Sequence, residues 1–328
     1  MADKKTLVLV LGATGRTGRS VIDGLLRSAD WDRICPTYNI ATLTRPASAS
    51  KPEVDILRSQ GVEIRIGDYA TDPPSKLSGY LDGVDVLLST VSAQAAASQK
   101  PILKTAVEAG VKRVIPCDFG TPGAKGVRAL NDMKLEIREY LRELCATSSG
   151  LSTYTFIDIG WWMQYLVPTS SKVPSPIGPG ADEYYAEDDK PVLLMDVDRI
   201  GPYVARIVRD ARAANQYIII WQDELTLRQS REIAESASGE AEAIRARRVL
   251  LDEETLLQRI AEKKAQYIAS GEPYTGQVCT YSEYMISIHF LGENSLANAK
   301  RLGALDAREL YPEIVPETFG LFAKRYYG

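Results

Sequence analysis

Five consecutive apolar residues, Leu7–Leu11, run directly into a glycine at position 12. An unbroken apolar run of that length predicts a strand buried on both faces of a parallel sheet. Beyond the glycines, Val21, Ile22, Leu25 and Leu26 recur at helical spacing. Further strands are expected at Ala41–Arg45, Val62–Gly67, Val84–Val91, Arg113–Cys117 and Thr153–Ile159. Pro101–Ala109 reads as a helix stopped by Gly110, and Leu130–Leu144 as a strongly amphipathic one. Strand and helix alternate throughout, which predicts an α/β fold with a Rossmann-like, doubly wound parallel sheet.

After Gly160 the rhythm breaks. Residues 167–189 are rich in proline and read as an ordered excursion, expected to cover part of a ligand cleft. Val192–Met195 is a short apolar strand, Asp198 is placed to cap a helix over Ile200–Val208, and Tyr217–Trp221 is a buried strand expected to rejoin the sheet. Helical spacing then dominates, at Leu227–Ala237, Asp252–Tyr267, Tyr281–Leu291, Ser295–Leu302 and Pro316–Tyr327. The expected division is a nucleotide-binding domain of residues 1–160 with 190–222, and a smaller, mostly helical substrate-binding lobe of 161–189 with 223–328.

Composition narrows the function. Of 328 residues, 39 are Lys or Arg and 43 are Asp or Glu, so no basic excess points to nucleic acid. No stretch approaches the roughly 20 apolar residues of a membrane span, and Leu7–Leu11 is too short for a secretory signal. Cys35, Cys117, Cys145 and Cys279 stand far apart with no CxxC, which fits a reducing, cytoplasmic setting and argues against a disulfide framework. His289 is the single histidine, so no metal site is expected.

The glycine turn is Gly12-Ala-Thr14-Gly15-Arg16-Thr17-Gly18, between the first strand and the first helix. Such glycines permit a tight turn, a close approach of backbone to a pyrophosphate, and close helix–strand packing. The phosphates then meet the N–H groups of the helix start. The end of the second strand chooses the cofactor. It carries Arg45, with Lys51 beyond and Arg16 in the glycine turn, and lacks the acid that binds a ribose 2′-hydroxyl. This predicts NADP(H). By position in such a fold, Asp68 is expected beside the adenine, and Thr90, Val91 and Ser92 beside the pyrophosphate and ribose.

Four stretches carry a resemblance: LGATGRTG at 11–18, VKRVIPCDFGT at 111–121, LSTYTFIDIGWW at 151–162 and HFLGENSLANAKRLGALDARELYP at 289–312. With them the chain resembles the NmrA-like and isoflavone-reductase-like family of atypical short-chain dehydrogenases, fungal members especially. The resemblance implies that Lys134 is catalytic, since it matches the lysine on the helix after strand five. A typical short-chain dehydrogenase has a tyrosine four residues earlier, where this chain has Leu130. Lys134 would then supply electrostatic stabilisation, or a proton through water; spacing alone reads it as an exposed helix lysine. Cys117 stands where relatives often carry Ser, and of its two readings the small buried hydrophobe is the better. Phe119, which follows it, is expected to border the nicotinamide.

Trp161, Trp162, Met163 and Tyr165 follow the sixth strand at its carboxyl end, where open α/β sheets bind ligands. They form either an apolar pocket wall or core between the lobes. His289 serves either substrate or the core. Together these readings predict an NADPH-dependent reductase of an aromatic or alkaloid-like secondary metabolite, its acceptor a ketone, imine, activated alkene or benzylic position. Two alternatives share the scaffold: a cyclase without net redox chemistry, and a non-catalytic NAD(P)-sensing regulator.

Overall fold

A computed structural model describes residues 5–28, 38–186 and 188–328; Cys35 lies outside them. Eight parallel strands form the main sheet: β1 (Leu7–Leu11), β2 (Asn39–Thr44), β3 (Glu63–Ile66), β4 (Val86–Ser89), β5 (Arg113–Ile115), β6 (Thr153–Ile159), β10 (Gln216–Ile220) and β13 (Leu305–Asp306). Their spatial order is β13-β10-β6-β5-β4-β1-β2-β3. The chain winds outward in one direction from β1 to β3 and in the other from β4 onward, so the order reverses between β1 and β4. Ligands of such sheets bind at that reversal, outside the carboxyl ends of the strands.

The apolar run of β1 follows from its burial on both sides. Val8 and Val10 pack with Ile22, Ile200 and Tyr203 on one face. Leu9 and Leu11 pack with Leu103, Ile137 and Phe156 on the other. On the first face two helices touch backbone to backbone. A Cβ on Gly201, in helix Ile200–Ile207, would lie 1.9 Å from the carbonyl oxygen of Ser20, in helix Arg16–Leu26.

A smaller sheet joins β7 (Trp161–Trp162), β9 (Pro191–Met195) and β11 (Asp223–Thr226), and a two-stranded one joins β8 (Glu183–Tyr185) to β12 (Val249–Leu251). Helices Leu227–Ser238, Glu253–Ser270, Pro273–Met285 and Phe319–Tyr327 belong to this second region. Its core includes Leu194, Leu227, Ile288, Phe319 and Phe322.

Several expectations need correction. The Val192–Met195 strand belongs to the small sheet, because β9 pairs with β7 and β11. The late strand β13 instead joins the main sheet beside β10. Strand pairing therefore crosses the expected division of the chain at both points. Asp196, not Asp198, caps the next helical segment, because a 3₁₀ turn at Val197–Arg199 precedes the α-helix; Asp196 accepts from the Asp198 N–H at 3.1 Å. The helix expected at Tyr281–Leu291 begins at Pro273 and widens into a π-turn over Ile286–Phe290. Among the described residues no helix is long and apolar enough to cross a membrane.

The close approach of Gly201 to the Ser20 carbonyl has a measurable consequence. Gly201→Ala is expected to cost about 1–3 kcal/mol by overpacking, read as a fall in the urea midpoint. Gly79→Ala, where a Cβ meets nothing within 4 Å, is expected to be neutral or stabilising. Equal effects of the two substitutions would contradict the contact.

Candidate active site

The site begins at the glycine turn. Gly12 has φ +76°, and a Cβ there would stand 2.5 Å from the Thr90 carbonyl oxygen. Thr90 holds the turn to β1 by donating to the Leu11 carbonyl from its N–H (2.8 Å) and its hydroxyl (2.7 Å). A Cβ on Gly18 would be 2.2 Å from the Gly12 carbonyl oxygen, so only glycine lets this helix come so close. Gly15 occupies the N-cap position and no side chain caps the helix. The first-turn N–H groups beyond it lack intrahelical partners and are suited to an anion.

A cavity of about 1120 Å³ opens from this turn along the carboxyl ends of the strands. At the turn it is lined by Gly15, Arg16 and Thr17, and beside β4 by Thr90, Val91 and Ser92. Its floor is Cys117 to Thr121, with Lys134 from helix Ala129–Thr147, and its aromatic wall is Trp161, Trp162, Tyr165 and Tyr284. The uncapped helix start, the glycine backbone and the absence of a carboxylate at the end of β2 fit a phosphate-bearing dinucleotide.

Other expected nucleotide contacts lie outside that lining. Gly12 and Gly18 shape the turn from beneath. Thr14 is exposed, and its carbonyl accepts from Arg19 Nε at 3.0 Å. Arg45 and Lys51 are exposed beyond β2 and have no carboxylate partner among the described residues. Asp68 turns its carboxylate onto the Ala70 N–H at 2.9 Å, while its own N–H donates to Asp72.

The floor is built around buried charge. After β5 the chain kinks, with Phe119 at φ +43°, and rejoins β6 through Gly120, whose carbonyl accepts from the Ile159 N–H at 2.8 Å. Asp118 and Asp158 both pair with the buried Arg138, at 3.1 and 2.7 Å, and Tyr217 donates its hydroxyl to Asp158 at 2.7 Å. Burial pushes the Asp118 carboxyl up to about 6, against the pull of Arg138. Burial also works against the charge on Arg138, but Asp118 and Asp158 outweigh it and hold the guanidinium charged.

Lys134 is one turn before Arg138 on the same face. It is only 8% exposed, and its Nζ donates to the Asp118 carbonyl. The surface lysine read from spacing is thus an inward-pointing cation at the cavity floor. Cys117 donates its thiol to the Val91 carbonyl at 3.0 Å, and burial raises that thiol to about 11, so it stays protonated.

Two expected pocket residues are elsewhere. Met163 is fully buried in the second region's core, because the 3₁₀ turn at Met163–Tyr165 rotates it away from the cavity. His289 lies in the π-turn, stacked on Tyr185 at 4.6 Å, outside the cavity lining. Burial, reinforced by Arg231, lowers it to about 3, so it is neutral at physiological pH. Among the described residues, none of the 167–189 excursion lines the cavity. The helical pair Glu253–Ser270 and Pro273–Met285 flanks it instead, through Lys264, Tyr267, Ile268, Gln277 and Thr280.

Sequence reasoning missed this helical side. Gln277, Thr280, Tyr281 and Tyr284 all line the cavity, and their three- and four-residue spacing was the available signal. Among the described residues no cluster of His, Cys, Asp or Glu is arranged to hold a metal ion.

Arg138→Met would leave two carboxylates buried without their cation, and a loss of about 3–5 kcal/mol in unfolding free energy is expected at pH 8. The folded-state pKa of Asp118 already lies above its unfolded value, and removing the cation raises it further. Its burial penalty therefore fades as pH falls through that value. Denaturant titrations at pH 8 and pH 5 are expected to give a deficit that narrows on acidification; a widening one would contradict the network.

The sequence model of the NmrA-like family matches residues 4–323. The asnovolin J 5′,6′-dehydrogenase of Aspergillus novofumigatus is 28% identical over 323 residues, covering 95% of this chain and 92% of that protein. A phenylcoumaran benzylic ether reductase of Ginkgo biloba is 24% identical, covering 94% and 95%. Among solved structures, the leucoanthocyanidin reductase–NADPH complex from Vitis vinifera superposes with a TM-score of 0.74 at 19% identity, covering 98% of this chain and 99% of that one. The family match spans nearly the whole sequence, and the chain belongs to the NmrA-like family.

Proposed function

We propose that the protein is an NADPH-dependent reductase of an aromatic or polycyclic small molecule. The observation that carries this reading is the continuity of one cavity from the uncapped helix start at Gly15 to the aromatic wall at Trp161, with Lys134 between them. The names of the relatives support it: a fungal dehydrogenase, a benzylic ether reductase, and a reductase solved with NADPH.

In this reading the N–H groups of Arg16 and Thr17, beyond the N-cap Gly15, hold the pyrophosphate, assisted by Thr90 and Ser92. Arg45, with Lys51 and Arg16 near, receives the 2′-phosphate. Tyr69 supports a shared neighbourhood for Arg45 and Asp68, because burial raises its hydroxyl while Arg45 and Asp68 act on it in opposite directions. Phe119 and Cys117 border the nicotinamide, and residues 1–160 with 190–222 act as the nucleotide lobe. The bound reduced nicotinamide supplies a hydride. Lys134 keeps a positive charge beside the acceptor atom, where negative charge develops. The Asp118 carbonyl orients that ammonium. Trp161, Trp162 and Tyr165 orient a flat substrate and exclude water. Their rings meet one another at 5.1–5.4 Å, and the Arg16 guanidinium lies 6.0 Å from the Trp162 ring.

The test combines binding and turnover. NADPH is expected to bind at least about tenfold tighter than NADH, a difference of about 1.4 kcal/mol, and Arg45→Glu to abolish or invert the preference. Equal affinities in the parent would overturn the NADP(H) assignment. With aromatic ketones, imines and enones as acceptors, NADPH oxidation is expected to match product formed by mass. Lys134→Ala is expected to lower turnover by about 10²–10³ while weakening NADPH binding only modestly. Product without NADPH oxidation would indicate a cyclase. Cofactor binding without conversion of any acceptor would indicate a regulator.

A further inference from the structure

The short-chain dehydrogenase tyrosine is missing from helix Ala129–Thr147, where Leu130 occupies its position. A different tyrosine reaches the same floor from the opposite side. Tyr284, on helix Pro273–Met285, lines the cavity, and its hydroxyl faces Gly120. A Cβ built on Gly120 would stand 3.0 Å from Lys134 Nζ and 3.5 Å from Tyr284 Oη. The two polar ends thus converge on one point, kept open because residue 120 carries no side chain.

The surroundings leave these two donors available. Tyr284 Oη has no hydrogen-bond partner among the described residues. Lys134 has three N–H bonds and spends one on the Asp118 carbonyl. Of the nearby carboxylates, Asp118 pairs with Arg138 through Oδ2 while its buried Oδ1 has no hydrogen-bond partner among the described residues, and Glu283 accepts from the Ala129 N–H at 3.0 Å. Two neighbours pack against the Tyr284 ring, the Arg128 guanidinium 4.7 Å from its centroid and the Trp161 ring at 5.3 Å. Arg128 is itself fully buried, fixed by Thr121 and the Pro122 carbonyl. A ring packed in this way presents its hydroxyl in one direction, which is what a preorganised donor requires.

We propose that Tyr284 Oη and Lys134 Nζ form a two-donor site for a single anionic oxygen, a phenolate or enolate on a flat ring lying against Trp161. The site rests on the role given to Lys134 above and adds Tyr284 as its second donor. In a reduction, hydride adds to the far carbon of an enone or quinone methide; a C–H bond forms there, the conjugated π electrons shift, and the former carbonyl oxygen becomes the enolate or phenolate oxygen that this site receives. Its ligand-binding form requires no cofactor, so it is testable apart from the reductase reading.

The probe is 4-nitrophenol, whose ionisation near neutral pH is read by absorbance, titrated onto the protein without cofactor. The phenolate is expected to bind at least about tenfold tighter than the phenol, lowering the bound probe's midpoint by about one pH unit. Tyr284→Phe keeps the packed ring and removes only the hydroxyl; it is expected to reduce that preference by about threefold or more. Gly120→Ala, at a position without a positive φ, fills the convergence point and is expected to abolish phenolate binding. An unshifted probe in the parent overturns the proposal, as does an undiminished shift in Tyr284→Phe. NADPH affinity measured on the same variants separates the two readings: its absence in the parent refutes the reductase, whereas retained NADPH binding with no phenolate shift refutes only the donor pair.

Discussion

A buried guanidinium between two carboxylates holds the floor of the cavity. Arg138 joins the turn after β5 to β6 through Asp118 and Asp158, and Tyr217 ties β10 into the same cluster. Desolvating three charges is expensive, and the cost is offset only when each finds its partners in good geometry. Phe156 and Tyr217 add ring faces to Arg138 at 5.4 and 4.6 Å. The cluster therefore fixes helix Ala129–Thr147 against β6, β10 and the turn after β5. Lys134 precedes Arg138 by four residues, so a helix anchored through Arg138 also directs Lys134 onto Asp118.

Once that floor is fixed, the rest of the cavity follows from two close approaches. Glycines at 12 and 18 bring the first helix against the ends of β1 and β4, leaving its uncapped start facing inward. On the other side, helix Pro273–Met285 meets the floor through Glu283, which caps the Ala129–Thr147 helix, and through Tyr284 over Arg128. The side near the glycine turn is polar and backbone-rich; the far side is aromatic. That gradient suits one ligand bearing phosphates and a second that is flat and apolar.

The nucleotide half of this arrangement was legible in the chain. An apolar run ending in spaced glycines has few other physical uses, and β1 and β6 fall at Leu7–Leu11 and Thr153–Ile159 as the pattern predicts. The second half was less legible. Short strands such as β7 and β13 are two residues long and defined by their partners, so they leave no periodic trace. Lys134 read as exposed because Arg138 shares its face, and an arginine ordinarily marks a solvated surface; here two acids distant in sequence neutralise it. Met163 and His289 looked like pocket residues by proximity to aromatic motifs, yet a 3₁₀ turn and a π-turn direct them into the core. Local pattern does not encode such rotations.

The central claim is that the glycine turn, the end of β4 and the floor after β5 form one ligand site. Hydrogen-exchange mass spectrometry with and without saturating NADPH tests it directly. Slowed exchange is expected together in peptides covering residues 11–20, 89–94 and 117–121, with residues 230–250 unchanged. Protection absent from those three segments, or confined to the second region, would contradict the account.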